Sequence, residues 1–378
     1  MIFWSIVFVV GASQAAWLAL ALWRRPVNRD GNRVLAAWIA LIGVDLVVKA
    51  IYFHQPGPEF YKLYRFVGLF PFLYSGLFYI YVRALTEARA FGLRDTVHVA
   101  GFFIALLVQA DVFLQSHAAI EVRFAAAERP TPSPWFDLFL FGYGLGYVLA
   151  AVLHVRRYRR RLIARRSDAD RLSLHWIDTM AISQLVIWGI ATAQWLTHIP
   201  WIDYPLIYGA VVLWMFTVGY LSLAQVALPA EPIAARIPDD TRDADAAVGT
   251  DADDARFPAV EARLAQLMDH DALYREPALS IGQLARRSGY PEYLVSAVIN
   301  RRFDGNFWEY INRLRIDAVR RCLADDGDQR TILDIAYACG FTSKSTFNAA
   351  FKRETGETPR AYRQSRAHAA TGSGHPED

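Results

Sequence analysis

Polar side chains recur at helical spacing in two segments near the carboxyl end of the chain. One segment follows Pro291 and the other follows Ser343. In each, apolar residues at intervals of three or four predict a helix with one buried face, which leaves the polar residues outside. Short hydroxyl, amide and ammonium groups on such a face can bond base edges in a major groove. The outward residues are Tyr293, Ser296, Ala297 and Asn300 in the first segment and Lys344, Ser345, Thr346 and Asn348 in the second.

A shorter helix and a glycine precede the second of these segments. Ile332, Ile335 and Ala336 share one face of the shorter helix, and Gly340 stands where the chain must turn, a position that can need positive φ. Ser343 can then cap the following helix. Phe347 and Phe351, spaced i and i+4 on that helix, are expected to pack back against the shorter one. The pattern predicts a helix-turn-helix unit.

The first segment has the same organisation. Ser280–Gly289 predicts an amphipathic helix that ends in glycine, and Pro291 opens the next helix at a position that tolerates proline. A long helix is predicted from Phe307 to about Leu323, between the two units. A rigid helix of that length would fix their separation. Two helix-turn-helix units in tandem are therefore predicted, although paired helices of this kind can also serve protein contact.

One ordered set of residues runs through both units and the helix between them: Leu284-Ala285, Gly289, Asn306-Phe307, Tyr310-Ile311-Asn312, Arg315, Ile335-Ala336, Gly340-Phe341, Ser343, Phe347, Phe351-Lys352, Gly356, Thr358-Pro359 and Tyr362-Arg363. Through these residues, the segment 260–365 resembles the AraC/XylS family of bacterial transcription activators. The resemblance implies that one protomer places both outward-facing helices in successive major grooves of double-stranded DNA. It adds Ala349 to the base-contacting residues, and Ala297 and Ala349 stand where family members often carry a longer polar side chain. Arg301 and Lys352 complete the predicted DNA-binding set, with Arg353 and Arg360 as further phosphate ligands.

The first two-thirds of the chain is apolar and predicts membrane helices. Hydrophobic residues make up 54% of the 378 residues, and the excess precedes residue 225. This part of the chain contains seven apolar runs, each of which approaches the 17–25 residues that cross a bilayer as a helix. The first is too long for a signal peptide and lacks a basic start, so we expect it to be retained. The seven runs are about Ile2–Trp23, Val34–Phe53, Phe66–Val82, Val97–Phe113, Trp135–Val155, Trp176–Leu196 and Tyr204–Ala224.

Arginine is concentrated in alternate loops, after the first, third and fifth runs. Because cytoplasmic loops are enriched in Lys and Arg, this asymmetry puts the N-terminus outside and the C-terminus in the cytoplasm. The densest cluster, residues 156–171, fits a lipid-headgroup anchor or a nucleic-acid patch. Gly68–Tyr74 and Tyr79–Thr86 loosely resemble the membrane domain found ahead of AraC-type domains in some bacterial regulators. The expected location is the bacterial inner membrane, with the DNA-binding domain in the cytoplasm.

Four regions follow from these patterns. We expect a seven-helix transmembrane sensor domain at 1–227, a disordered acidic linker at 228–258, a DNA-binding domain at 259–366 and a disordered tail at 367–378. The linker carries seven aspartates and few large apolar residues, so it cannot bury enough surface to fold. The predicted class is all-α.

A signal site is expected in the outer half of the membrane bundle. Asp45 and Lys49 stand i and i+4 within the second run, where ionisable residues are costly and usually face the bundle interior. They can line a pocket open to the outside or form a structural ion pair with solvated groups nearby. The ligand-binding candidates are Asp45, Lys49, Asp111, Gln194 and His198.

No phosphate loop, dinucleotide fingerprint or metal-ligand cluster is apparent, so no catalytic residue, metal or cofactor is predicted. Cys322 and Cys339 are expected to be buried thiols. Gly142 and Gly146 form a G-x-x-x-G pattern that suits packing within one bundle or homodimerisation. The sequence predicts a one-component transcription regulator whose partners are DNA, the lipid bilayer and a small-molecule or membrane-derived signal. The alternatives are a transporter or membrane enzyme with an autoregulatory DNA-binding tail, and a scaffold.

Overall fold

A computed structural model describes residues 2–55, 57–87, 91–125, 133–169, 175–197, 204–223, 255–303, 305–325 and 327–372. These residues are almost all helical and include no strand; an isolated bridge pairs Arg166 with Ser280. The all-α class is confirmed. The chain divides into two compact units, one of Met1–Arg156 with Leu174–Ala235 and one of Arg157–Ser173 with Arg236–Asp378.

Among the described residues, ten α-helices begin in the first unit, and the eighth of them continues past Arg156 into the second unit. Leu93–Val99 forms a 3₁₀ helix between the fourth and fifth α-helices. The α-helices are α1 (Ile2–Arg24), α2 (Arg29–His54), α3 (Pro58–Val67), α4 (Pro71–Glu87), α5 (Ala100–Val108), α6 (Ala110–Leu114), α7 (His117–Ala125), α8 (Pro134–Arg165), α9 (His175–Thr197) and α10 (Tyr204–Leu223).

Helix α2 lies at the centre of the first unit. It packs against α1, α4 and α3, and its Trp38 ring lies 4.8 Å from that of Trp214 on α10 and 5.9 Å from that of Phe78 on α4. Large apolar side chains remain exposed on the outer surface, including Trp17 and Leu107, each 75% exposed. An apolar exterior of this kind marks an interaction surface, such as one facing lipid.

Among the residues that the structure describes, four helical segments are long and apolar enough to cross a membrane, judged by length and composition: Phe3–Arg24, Arg29–His54, Pro58–Glu87 and Pro134–Arg165. The third of them is interrupted at residues 68–70, just before Pro71, as expected because proline lacks an N–H and bends a helix. The fourth predicted run is divided between the 3₁₀ helix, α5 and α6, with a break at Gln109. The count of seven spans therefore stays a prediction.

The glycine pair of the G-x-x-x-G pattern does not mediate close packing among the described residues. A Cβ added at Gly142 or Gly146 would meet nothing within 4 Å. A Cβ at Gly144, which lies between them, would overlap the Trp188 ring of α9. Packing within one bundle thus uses the intervening glycine, because residues two apart lie on different sides of a helix.

The second unit is built on one continuous apolar core. Residues 224–254, which include most of the predicted disordered linker, lie outside the described residues. A short 3₁₀ helix spans Leu273–Arg275. The last helix continues to Gly372, beyond the predicted domain end at 366, in a stretch rich in the helix former alanine. The helices are α11 (Phe257–Asp269), α12 (Ile281–Ser288), α13 (Glu292–Arg302), α14 (Phe307–Leu323), α15 (Ile332–Ala338), α16 (Lys344–Thr355) and α17 (Pro359–Gly372).

Candidate nucleic-acid interface

Helices α12 and α13 form the first helix-turn-helix unit. Ser280 precedes α12 and forms a capping box with Gln283. The Ser280 hydroxyl accepts from the Gln283 backbone N–H at 3.3 Å, and the Gln283 side-chain oxygen accepts from the Ser280 backbone N–H at 2.8 Å. Gly289 ends α12 at φ 80°, the left-handed conformation that glycine adopts at low cost. Pro291 then provides the extended residue before α13. Local chemistry thus determines both ends of the turn.

Helix α13 presents the predicted polar face. Its apolar residues Leu294, Val295, Val298 and Ile299 are fully buried. The four predicted base-contacting residues are placed unequally: Tyr293 and Asn300 are exposed, Ser296 is half-buried, and Ala297 packs partly against the domain core. Arg301 is exposed at the end of the helix, and its guanidinium lies 5.6 Å from the centre of the Phe257 ring.

Helices α15 and α16 form the second helix-turn-helix unit, and its turn packs closely against another part of the domain. Gly340 has φ 94°, and a Cβ there would lie 2.7 Å from the Arg275 carbonyl oxygen and 2.8 Å from that of Tyr274. The predicted positive φ is confirmed. Phe347 and Phe351 are buried, with ring centres 5.7 Å apart, as their spacing predicts. Glycine is required here both for its conformation and for its lack of a side chain.

One predicted base-contacting residue of α16 faces inward. Thr346 is only 3% exposed, and its hydroxyl accepts from Ser343 at 2.7 Å. The prediction that it faces outward is wrong, because Thr346 shares the buried helix face with Ala350 one turn later and belongs to the N-terminal cap. Lys344, Ser345, Asn348 and Ala349 are exposed as expected. The polar face is therefore narrower than the sequence pattern indicates.

Cationic side chains flank this face. Lys344 opens α16, and Lys352 is exposed two turns later. The Arg353 guanidinium lies 4.5 Å from the centre of the Trp308 ring, where it also contacts Glu354. Exposed ammonium groups of this kind are the groups that contact phosphates in protein–DNA complexes.

Helix α14 joins the two helix-turn-helix units and is anchored by a buried arginine. Arg315 is 1% exposed and donates to the carbonyl oxygens of Tyr274, at 2.8 Å, and Glu276, at 2.9 Å. Burial lowers the pKa of its guanidinium to about 10, and the Asp168 carboxylate opposes the shift, so the charge persists at neutral pH. Arg315 was visible in the sequence only as a matching residue of the family, because its carbonyl partners lie some forty residues away.

The signal candidates lie in the first unit. Asp45 and Lys49 are buried as a pair 3.8 Å apart. Asp45 accepts from the Tyr74 hydroxyl at 3.1 Å, and the Lys49 ammonium lies 4.0 Å from the centre of the Tyr64 ring and 5.0 Å from that of Tyr208. The sequence did not single out these tyrosines, which other helices contribute.

The remaining signal candidates belong to other segments of the first compact unit. Asp111 is exposed on α6, and Gln194 is half-buried on α9. His198 lies outside the described residues. Each of these positions was predicted from its depth in a run, which does not determine the direction in which its side chain points.

Comparisons with known proteins match the C-terminal domain. Residues 284–365 match a family model described as a helix-turn-helix domain. The chain is 30% identical over 101 residues to the melibiose operon regulatory protein of Escherichia coli (strain K12), covering 27% of this chain and 33% of that protein. It is 28% identical over 92 residues to the probable transcription factor PqrA of Proteus vulgaris, covering 24% of this chain and 74% of that protein.

A further relative is an uncharacterized HTH-type transcriptional regulator of Staphylococcus aureus (strain COL), 31% identical over 101 residues. The match covers 27% of this chain and 13% of that protein. No solved structure matches the chain. The resemblance to AraC-type regulators is confirmed for the C-terminal domain, where residues 284–365 match the helix-turn-helix family model. Two of these relatives are named as a transcription factor or regulator, and the third as an operon regulatory protein.

Proposed function

We propose that this protein is a membrane-bound, one-component transcription regulator. It binds promoter DNA in the cytoplasm with α13 and α16 and detects a signal through the first unit, without a catalytic step. The observation that carries the DNA-binding part is the pair of exposed polar helix faces, held on one core by α14. Two such faces on one protomer can enter successive major grooves.

The membrane part of the proposal is supported by the four apolar helices and the exposed apolar surface of the first unit. The arginine-rich loops favour an inner-membrane orientation with the C-terminus in the cytoplasm. The lipid bilayer is then the partner of the first unit. The open surface at Gly142 and Gly146 is compatible with a homodimer that would present four recognition helices.

We place the signal site at Asp45 and Lys49. Ionisable groups inside a membrane bundle are costly and generally functional, and here they are surrounded by the rings and hydroxyls of tyrosines from other helices. A polar signal, either a small molecule or one derived from the membrane, would have to exchange with one partner of the pair. It would shift the protein only through different affinity for two helix arrangements.

DNA binding is tested with full-length protein in detergent and DNA from upstream of its own and neighbouring genes. Asn300→Ala and Asn348→Ala are each expected to weaken specific binding by about 1–3 kcal/mol if each side chain makes a bidentate base contact. Gln266→Ala, which removes an exposed amide of α11, is the matched control and should bind like the parent. Equal weakening on random DNA would contradict base contact by these residues.

Topology is tested with a reporter that is active only in the periplasm. Fused after Thr131 it should be active, and fused after Asp240 it should be silent. Activity at Asp240 would contradict the cytoplasmic placement of the DNA-binding domain.

The signal site is tested in cells with Lys49→Met and Asp45→Asn. Each protein should accumulate normally yet hold a target reporter at one level, with or without the inducing condition. Normal accumulation with an unchanged response would contradict a signal site at this pair.

A further inference from the structure

A five-residue segment, Arg165–Ala169, attaches to the first helix-turn-helix unit within the second compact unit. We call it the strap. The Ser167 N–H donates to the Leu279 carbonyl oxygen at 3.0 Å, and Arg166 forms the isolated antiparallel bridge with Ser280. Ser167 is 0% exposed, and Asp168 and Ala169 are each 5% exposed. A polar, arginine-rich segment is thus buried at its C-terminal end.

Side chains complete the attachment. Arg315 Nη2 donates to Ser167 Oγ at 3.1 Å. The Arg166 guanidinium donates two hydrogen bonds to the Asp168 carboxylate, at 2.8 and 3.1 Å. The strap begins at Arg165, whose Nε lies 3.8 Å from a carboxylate oxygen of Glu292, the first residue of α13.

The docked strap therefore contacts both helices of the first helix-turn-helix unit and the helix that follows them. Leu279 and Ser280 lie at the start of α12 and Glu292 at the start of α13. Arg315 lies in α14, which joins the two helix-turn-helix units. A buried polar group that lacks a partner costs about 1–3 kcal/mol. Ser167 has both its N–H and its hydroxyl satisfied by the DNA-binding domain, which makes this a specific attachment.

Neither role predicted for the arginine-rich loop explains this arrangement. A lipid-headgroup anchor and a nucleic-acid patch would both keep these residues exposed to their ligand. In contrast, Ser167 and Asp168 are buried within the chain's own DNA-binding domain. The strap also follows α8 directly in sequence, whereas α10 is separated from α11 by residues 224–256.

We propose that Leu279, Ser280, Glu292 and Arg315 form a docking site for the strap, through which movement of α8 is transmitted to the first helix-turn-helix unit. This goes beyond the proposed function, since it names the contact that would carry the signal, and it depends on that function only for the placement of α8 in the membrane. Tyr293 and Asn300 remain exposed while the strap is docked, so the docked state is competent to bind DNA.

Docking is tested by disulfide cross-linking of the full-length protein in membranes. Native Cys322 and Cys339 are first replaced by Ser and Ala. Residues paired across a bridge have Cβ atoms about 4.5–5.5 Å apart, so Arg166→Cys with Ser280→Cys should cross-link on mild oxidation. In the matched control, Arg157→Cys replaces Arg166→Cys; it lies nine residues earlier, roughly 13 Å along the helix and beyond disulfide reach.

The expected cross-link yield is at least about ten times that of the control. Equal yields, or no link at Arg166 and Ser280, would overturn docking. Because Ser280→Cys removes a helix cap, hydrogen exchange of the unaltered protein gives a second measurement: the Ser167 amide should be strongly protected, and exchange at the rate of an open loop would also overturn docking. DNA binding is measured separately by gel shift, so failure of the proposed function is distinguishable.

Transmission is tested by inserting one alanine between Arg160 and Arg161. The insertion rotates the strap by about 100° relative to the start of α8. It should change reporter output several-fold, while DNA affinity in detergent stays within about twofold of the parent. The control is one alanine inserted between Asp253 and Asp254, which should leave output unchanged. Equal effects of the two insertions would overturn transmission through the strap, as would loss of DNA binding in the oxidised, cross-linked protein.

Discussion

The two helix-turn-helix units have the same outline but different surroundings at their turns. A Cβ at Gly289 in the first unit would meet nothing within 4 Å, whereas one at Gly340 in the second would overlap the backbone of Tyr274 and Arg275. Both glycines have positive φ. The comparison separates two uses of glycine: at Gly289 it serves conformation alone, and at Gly340 it also allows the second unit to pack against the segment that precedes the first.

The two recognition helices also differ in how they begin. α13 follows Pro291 and has no side-chain cap, and its first residue is the acidic Glu292. α16 is capped by Ser343, and its first residue is Lys344. The Lys344 ammonium at the start of α16 would attract the anionic phosphates of DNA. At the start of α13 the Glu292 carboxylate would repel them, and it lies 3.8 Å from Arg165 of the strap.

The largest difference is expected between the two turn glycines. Gly340→Ala should destabilise the DNA-binding domain by about 3 kcal/mol or more, because the left-handed conformation costs about 1–2 kcal/mol and the backbone must also move. Gly289→Ala should cost about 1–2 kcal/mol, the conformational part alone. Hydrogen exchange at the amides of α12–α16 in the full-length protein measures both losses of stability. Equal losses would contradict the close approach at Gly340.

A smaller difference is expected within α16. Thr346→Val removes the buried hydroxyl that bonds Ser343 and should lower stability by about 1 kcal/mol without changing sequence preference. Ser345→Ala, at the exposed neighbouring position, should leave stability within about 0.5 kcal/mol. Selection of bound sequences from a random pool gives the preference. An altered preference for Thr346→Val with unchanged stability would restore the outward-facing assignment.

The two alanines of the recognition faces should respond differently to enlargement. Ala349 is exposed and Ala297 packs partly against the core. Ala349→Gln should therefore be tolerated within about 0.5 kcal/mol, while Ala297→Gln should cost about 1 kcal/mol. Thermal unfolding of the two purified variants compares them directly. A greater loss at Ala349 would show that α16, and not α13, has the tighter outer face.

The smallest effect concerns thiol reactivity in the second unit. Cys339 is 2% exposed, and burial raises the pKa of its thiol to about 11, so little thiolate forms at neutral pH. Cys322 is half-buried. Alkylation of the folded protein at pH 7 should modify Cys322 first, and Cys339 only as the domain opens or as pH approaches 11. Mass spectrometry of timed samples follows both sites, and faster modification of Cys339 would contradict its burial.

Prediction from sequence succeeded where neighbouring residues determine the outcome. The glycine turn at Gly340, the cap at Ser343 and the inward direction of Phe347 and Phe351 depend on spacing within one or two turns of helix, and all three are confirmed. Thr346 was misassigned because the same position serves cap and helix face, and periodicity alone cannot choose between them.

The sequence by itself determined the all-α class, the tandem helix-turn-helix units and most of their exposed faces. Local hydrogen bonding and hydrophobic periodicity act over a few residues, so they are visible in a single chain segment. Only the tertiary structure decided that Arg315 holds the carbonyls of Tyr274 and Glu276 and that Ser167 is buried against Leu279. Those contacts join segments distant in sequence, and their partners are selected by the shape and unsatisfied polar groups of the folded domain, which no local pattern encodes.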